Sequence, residues 1–428
     1  MNYNVILDPR DVLYFRDGHP LGGAADGNGA QWPLPSVWHS AVLSAFHRTF
    51  SDDEISRYAK KHQHARRGDK DKNFFKKRRT KAVFGGTKTL GPFPQKDGKI
   101  YFPIPADLTP GELGAAEQLL PVAFPQGSNN LPAPLKYMLW KNIKPTKKEL
   151  GQWISAEGLK KYLCGEIDDL LPHIAPNADF FDTETRPGVA IDPNTGTAEE
   201  HKFYSAEYMR LKDEVRIVAC VDAVSVGSNG KTDLWEKFKE KSECSALVLG
   251  GQRGLVWSEE SEVPDVFIPA VPKKFPGNRV KWTLLSPALF NAGWRPGFVD
   301  EASGEVQLKA IPPRGPNQSR EAWREVCKDV PEIKAWLVAT RITKAVSASG
   351  WKINASEDDK NSGNDGGGAP KATRLLVPAG SVFYFECESE ADAQKLAAAL
   401  HGKTKSDLLG EQGYGLGVCS AWEFGNDF

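Results

Sequence analysis

Gly410-Glu-Gln-Gly-Tyr-Gly-Leu-Gly-Val-Cys-Ser-Ala-Trp422 lies near the C-terminus of the chain. Four glycines fall within eight residues, and an apolar, aromatic run follows at once. Glycine has no Cβ, so it reaches φ > 0 and lets another backbone come close. Val418 to Phe424 then reads as a short final strand. Taken by itself the stretch is a tight turn closing the last hairpin. A glycine-rich loop entering a strand also suits a phosphate resting on peptide N–H groups.

The elements before it form a series. Val280–Leu285 reads as a strand, residues 320–329 as a short helix, Ile333–Val346 and Arg374–Cys387 as strands, and Glu390–Leu400 as a helix. The first part of the chain has a matching order. Tyr3–Leu7 is strand-like, and Ser36 is set to cap a helix over Val37–Thr49 packed through Val37, Ala41, Ser44 and Ala45. Residues 82–105 read as a hairpin turning at Lys96-Asp-Gly-Lys, and Val215–Val224 as a strand. Asp233–Lys241 reads as a helix, and Ser245–Trp257 as a strand broken by Gly250-Gly-Gln-Arg-Gly. This order fits a ferredoxin-like βαββαβ unit with large insertions. The insertions are a proline-rich, irregular 106–144, an amphipathic helix over Thr146–Leu163 (Leu150, Trp153, Ile154, Leu159), and a long arm over 184–206 turning near Pro193–Gly196. Pro264–Gly277 holds four prolines and reads as a linker.

The totals narrow the partners. The 428 residues carry 55 basic and 55 acidic side chains, so any affinity for nucleic acid comes from local clustering. Such a cluster exists between Arg57 and Lys81, with twelve Lys or Arg against two acids and Phe74-Phe75 inside the run. It reads either as a solvated loop or as phosphate contacts with stacking rings, and the two agree if it orders on RNA. Residues 354–372 are low-complexity and are expected to form a mobile loop. Six scattered cysteines without CxxC spacing imply neither a zinc site nor a disulfide framework. Asp8, Asp11, Asp17 and Asp26 lack calcium-loop spacing. His401-Gly-Lys-Thr ends like a phosphate loop, but Ala397 stands where that motif needs glycine. No cofactor is expected. The N-terminus has no secretory pattern and no apolar run approaches a bilayer span, so a cytoplasmic protein is expected.

Several motifs, in order, resemble one family. They are Leu7-Asp-Pro with Phe15-Arg-Asp-Gly, Arg186-Pro-Gly through Tyr204, and Leu249-Gly-Gly-Gln-Arg. Ser286-Pro-Ala-Leu-Phe with Gly293-Trp, Gly350-Trp with Val377-Pro-Ala-Gly-Ser-Val, and Gly413-Tyr-Gly-Leu-Gly complete the set. The sequence resembles the RAMP-class subunit of type III-B CRISPR effectors that holds the 5′ end of the crRNA, third in Cmr naming. The resemblance implies an α+β chain of two tandem ferredoxin-like domains of the RNA-recognition type with long loop insertions, here 1–275 and 276–428. It implies contact with the crRNA 5′ tag, the large polymerase-like signalling subunit and the adjacent backbone RAMP subunit. It also implies that the chain binds, while other subunits cut. A basic residue is more usual in the family where His19 stands, so phosphate contact there is expected to be weaker or pH-dependent.

Sheets of this type stack bases on aromatic residues and hold phosphates with basic loops. The loop residues Arg16, Asp17, Gly18 and His19 head the candidates for RNA contact, followed by Arg186, Lys202 and Tyr204 of the arm. Arg253, Trp294, Arg295, Lys344, Trp351 and Arg374 follow, with Gly413, Tyr414, Gly415 and Gly417 of the opening stretch. Arg16 and Arg295 rank first because both halves open with a strand and an arginine-bearing loop. No catalytic or metal-ligating residue is expected. Two other readings remain at this stage. One is a metal-independent endoribonuclease using His19 or His39 with Tyr14 or Lys202; the other is a scaffold whose basic loop docks on an acidic protein patch.

Overall fold

The computed structural model describes residues 3–16, 26–27, 32–60, 82–111, 114–123, 130–143, 149–192, 194–227, 230–242, 245–261, 268–315, 318–352, 369–370 and 372–425. Most of the basic run after Arg57, most of the 354–372 loop and Asp17, Gly18 and His19 lie outside the described residues. Strand outweighs helix, and the two main sheets pair in antiparallel fashion throughout. Among the described residues the larger sheet has nine strands. Its centre runs Thr87–Lys96, Val215–Gly227, Tyr3–Pro9, Leu255–Glu260. The second sheet has five strands, in the order Ala335–Arg341, Val382–Cys387, Arg279–Leu284, Leu416–Ala421, Lys403–Thr404. In both sheets, then, the four strands of the series lie side by side as second, third, first, fourth.

Alternation along Val215–Gly227 explains why the first sheet is buried on both faces. Ile217, Ala219 and Val221 face a core with Trp38, Val42 and Phe46 of helix Pro35–Thr49 and Trp235 and Phe238 of helix Leu234–Lys241. Truncating one such ring to alanine would cost about 3–5 kcal/mol. Val218 and Cys220 face the other way, into a core shared with Leu285, Leu416 and Val418 of the second sheet. The two sheets are thus joined through apolar packing.

Several boundaries differ from the sequence reading. Helix Pro35–Thr49 starts with proline, and Leu34 offers no side-chain cap. Ser36 instead bonds the Tyr414 hydroxyl at 2.9 Å. Of the expected stripe, Ala41 and Ala45 are buried and Val37 packs on the core, while Ser44 is exposed; Trp38, Val42 and Phe46 supply the large buried side chains. The helix expected over Thr146–Leu163 is strand at Trp153–Ser155 and helix only at Ala156–Cys164. Ser155 caps it, and the strand residues face a sheet partner rather than continuing the helical stripe. The proline-rich 106–144 holds two small hairpins, Leu108–Pro110 with Ala116–Gln118 and Leu120–Ala123 with Tyr137–Trp140. Arg374–Cys387 is two strands, because the Pro378–Ser381 turn interrupts it. Of Ile333–Val346, only Ala335–Arg341 joins the sheet. The final strand is Leu416–Ala421.

The opening stretch of glycines belongs to the junction between the sheets. Gly413 has φ +96, and a Cβ there would stand 2.8 Å from the Thr89 carbonyl oxygen. The Ser286 hydroxyl donates to the Gly413 carbonyl at 2.6 Å and accepts from the Leu416 N–H at 2.9 Å. The glycines serve close backbone approach, and their peptide groups are occupied within the fold.

Candidate nucleic-acid interface

Three of the quoted motifs meet at one end of the first sheet. The loop after Tyr3–Pro9 is tied to the arm by reciprocal Leu13–Met209 backbone bonds of 2.8 Å. The Gly251 N–H donates to the Tyr14 carbonyl at 2.9 Å. Gly250 permits this approach, since a Cβ there would lie 2.6 Å from that same carbonyl. Gln252 and Arg253 then both take left-handed backbone, with φ 52 and 58, as a primed hairpin turn demands. Asn or Gly ordinarily fills such positions, so strain is stored where Arg253 is exposed. Arg16, also exposed, lies on the neighbouring loop.

The arm is a two-stranded ribbon, Phe181–Ile191 with Ala198–Leu211, and Asp26–Gly27 adds in parallel beside Ser205–Ala206. Its register pairs Glu184 with Tyr208 and Asp182 with Arg210, which puts Glu184, Arg186, Tyr208 and Arg210 on one face. Arg186 Nε donates to Glu184 Oε1 at 2.7 Å, and its guanidinium lies 4.8 Å over the Tyr208 ring. Arg210 donates to Glu184 Oε2 at 2.7 Å and to Asp11 Oδ1 at 3.0 Å. The Tyr14 ring stands 5.2 Å from Tyr208. Two guanidiniums therefore meet two carboxylates. The arginine bonds, Arg210 first, hold the Glu184 carboxyl below its usual range; a bond from the Val12 N–H is the main cause of the same shift at Asp11. The ladder fastens the ribbon to the loop and leaves the arginines about half exposed. Arg210, Glu184 and Asp11 were missed by sequence reasoning, although period-2 alternation across the hairpin would have put Glu184 and Arg210 on one face. Toward the tip, Val189, Ile191 and Phe203 are exposed. The side chains of Lys202 and Tyr204 lie outside the described residues.

The second half contributes less than expected. Arg295 does not mirror Arg16. Its guanidinium donates to the Val299 carbonyl and to Glu301 at 3.2 Å, and only 13% of the side chain is exposed. It braces its own loop. Trp294 packs against the second core. Tyr414 is 2% exposed and bonded to Ser36, so no ring face is left for a base. Gly413, Gly415 and Gly417 are buried beside it. Lys344 and Arg374 are exposed on or beside a separate hairpin, Val346–Ala348 with Arg374–Leu376. Trp351 pairs by backbone with Pro370, and its side chain lies outside the described residues. Leu376 and Ala348 of this hairpin pack with Tyr414 and Leu34. Leu34 ends the segment that leaves Arg16 and pairs with the ribbon at Asp26–Gly27.

Acid–base chemistry at His39 finds no support. The ring is 7% exposed, its Nδ1 lies 3.2 Å from Thr89 Oγ1, and burial pulls its pKa down to about 4. It is neutral and enclosed at physiological pH. Among the described residues no group of three His, Cys, Asp or Glu could hold a metal ion, and no helix is long and apolar enough to cross a membrane.

The family model described as CRISPR-associated protein (Cas_Cmr3) matches residues 5–422. No curated protein matches the chain. Solved structures similar to it include a chain of a type III-B Cmr-beta complex bound to cognate target RNA, at 14% identity and TM-score 0.42, covering 96% of this chain and 95% of that one. A second, from the same kind of complex with target RNA and AMPPnP, has 15% identity and TM-score 0.41, covering 89% and 86%. A third, from a Csm3-Csm4 subcomplex of the type III-A interference complex, has 13% identity and TM-score 0.36, covering 89% and 92%.

Proposed function

The chain belongs to the Cas_Cmr3 family of CRISPR-associated proteins, the third-subunit family of type III-B Cmr effectors, and from that premise we propose that it holds the 5′ repeat-derived tag of the crRNA without cutting it. The observation that carries this reading is the meeting of the Arg16 loop, the strained Arg253 turn and the ribbon bearing Arg186 at one end of the first sheet. Phosphates are taken by Arg16, Arg253 and, after exchange of carboxylate partners, Arg186 and Arg210. Lys344 and Arg374 extend the track. The strand order in both sheets supports two tandem ferredoxin-like domains, divided near 275, with the ribbon as an insertion in the first. In this reading the chain also docks the large polymerase-like signalling subunit onto the neighbouring backbone RAMP subunit in a cytoplasmic ribonucleoprotein.

The test is photocrosslinking of 5′-labelled crRNA within the assembled complex, with titration of Arg16→Ala and Arg253→Ala chains. Crosslinks at residues 10–16 and 250–254 are expected. Each variant should also lower the slope of log affinity against log salt by about 0.7, the loss of one single-strand phosphate contact. Crosslinks confined to the 3′ end, with unchanged slopes, would refute the reading.

A further inference from the structure

Among the described residues, strand Lys403–Thr404 forms one edge of the second sheet. It pairs with Leu416–Ala421 so that Lys403 stands opposite Gly417 and Thr404 opposite Leu416. The Gly402 N–H donates to the Gly417 carbonyl and the Lys405 N–H to the Gly415 carbonyl, both at 2.8 Å, so the pairing continues through Lys405. Alternation then puts Lys403 and Lys405 on one face. Their cross-strand neighbours, Gly417 and Gly415, have no side chains to meet them. Neither position admits one. A Cβ on Gly415 would collide with the Ser406 nitrogen, and a Cβ on Gly417 with Trp282 Nε1.

Among the described residues neither ammonium has a carboxylate or a hydrogen-bond acceptor beside it. Lys403 is exposed and Lys405 is partly buried. Burial pulls the Lys405 pKa below its usual range, and the charge of Lys403 lowers it further. Asp407, two residues on, is engaged elsewhere: its carboxylate accepts from the Asn291 N–H at 2.9 Å and from the Gly297 N–H at 3.1 Å. Helix Glu390–Leu400 ends just before this strand, and the attraction of its C-terminal end falls off within its last turn. The Trp282 indole N–H lies on the same face beside Gly417, fully buried and without an acceptor among the described residues. Two ammoniums and one N–H thus gather on one face, and all are donors. A cation that sheds water without a counter-charge is held at a cost, and a bound anion removes that cost.

The spacing narrows the anion. Two residues of extended strand advance about 7 Å, close to the separation of successive phosphates in an extended single strand. Lysine meets a phosphate as a point charge, without the fork by which arginine grips a carboxylate. We propose that Lys403 and Lys405 hold two successive phosphates of a single-stranded polynucleotide at this edge of the second sheet. The inference draws on this face alone and not on the Arg16 end.

The test titrates a short fluorescein-labelled single-stranded RNA of arbitrary sequence into the full chain by anisotropy across a salt series. The chains are wild type, Lys403→Gln, Lys405→Met and, as a control for lost charge elsewhere in the second half, Lys328→Gln. Trace acetylation of Lys405, mapped by peptide mass spectrometry, is followed with RNA, with poly-glutamate and with inorganic phosphate. Lys403→Gln and Lys405→Met should each lower the slope of log affinity against log salt by about 0.7, and Lys328→Gln should leave it unchanged. RNA should slow acetylation of Lys405 at least fivefold. Lys405→Met should melt at or above the wild-type temperature, because it removes an uncompensated charge; a lower melt would reveal a structural partner and overturn the proposal. Unchanged slopes with unchanged acetylation overturn it as well. Protection by poly-glutamate but not by RNA would assign the face to an acidic protein and overturn it. Protection by inorganic phosphate with unchanged RNA slopes would overturn the polynucleotide assignment. Absence of tag crosslinks at residues 10–16 and 250–254, with Lys405 still protected by RNA, would sink the tag reading and support this site.

Discussion

Asp107 offers the sharpest test of how the two sheets are held together. Its carboxylate is fully buried and receives four donors. Tyr162 donates to Oδ1 at 2.7 Å, Tyr384 and Gln118 each donate to Oδ2 at 2.8 Å, and Lys281 Nζ lies 3.4 Å from Oδ2. Lys281 and Tyr384 come from the second sheet, whereas Tyr162 and Gln118 come from insertions of the first half. Asp107→Asn keeps the shape but turns an amide toward converging donors and strands the Lys281 charge. Breaking a buried pair from one side costs about 3–5 kcal/mol. Lys281→Met should cost less, at most about 2 kcal/mol, because Asp107 keeps three short bonds and Met still packs on the Tyr162 ring. In the double variant the stranded cation is gone, so the two costs should fall short of their sum by about 1–3 kcal/mol. Guanidinium titrations followed by tryptophan fluorescence read all three from the midpoint at constant slope. A change below about 1 kcal/mol for Asp107→Asn, or strict additivity in the double variant, would show that apolar packing alone joins the halves.

Three further outcomes follow from particular contacts. His39 has its pKa depressed to about 4 in the fold, against about 6.5 when unfolded. Its neutral form therefore supports the fold fully above 6.5, and up to roughly 3 kcal/mol is lost as pH falls from 6.5 towards 4; His39→Gln should flatten that part of the stability–pH curve. Gly413→Ala should cost about 1–3 kcal/mol, from φ +96 and contact with the Thr89 carbonyl. Gly98→Ala, at φ +72 with nothing within 4 Å of the added carbon, should cost only about 1 kcal/mol in the same melts. Glu184→Gln should raise affinity for RNA of any sequence and steepen its salt dependence, read by anisotropy, because the ladder then carries one more net positive charge; equal affinities across a salt series would count against phosphate exchange at Arg186 and Arg210.

Much of the architecture could be read from local pattern, and the errors share a cause. Leu234–Lys241 and Glu390–Leu400 were legible because each begins at an Asp or Ser cap that bonds its own first turn. The Asp97-Gly98 hairpin was legible because both residues take φ > 0. Trp153–Ser155 was misread as helix because its apolar residues face a sheet partner that only the tertiary fold supplies. The four-glycine stretch was assigned to RNA for a similar reason. Sequence shows that a backbone must come close, but not whether the visitor is a phosphate or, as here, Thr89. Arg295 and Arg16 look alike as letters, and the sequence does not show that Arg295 bonds the Val299 carbonyl and Glu301 and braces its own loop.

The charge arrangement gives the binding reading its physical shape. The chain is neutral overall, and the ladder at the ribbon's base is neutral as well. Long-range steering of RNA toward this surface is therefore weak, and what remains is short-ranged. A guanidinium already bound to a carboxylate yields to phosphate only where several such exchanges occur in register, since one exposed exchange gains about 0–1 kcal/mol. In the proposed binding mode the grip would then depend on the path of the backbone across Arg16, Arg253 and the ribbon more than on the amount of charge. The strained turn at Gln252-Arg253 fits the same logic, because strain of this size persists only where surrounding backbone bonds, here from Gly251 to Tyr14 and between Leu249 and Gly254, hold the turn in one place.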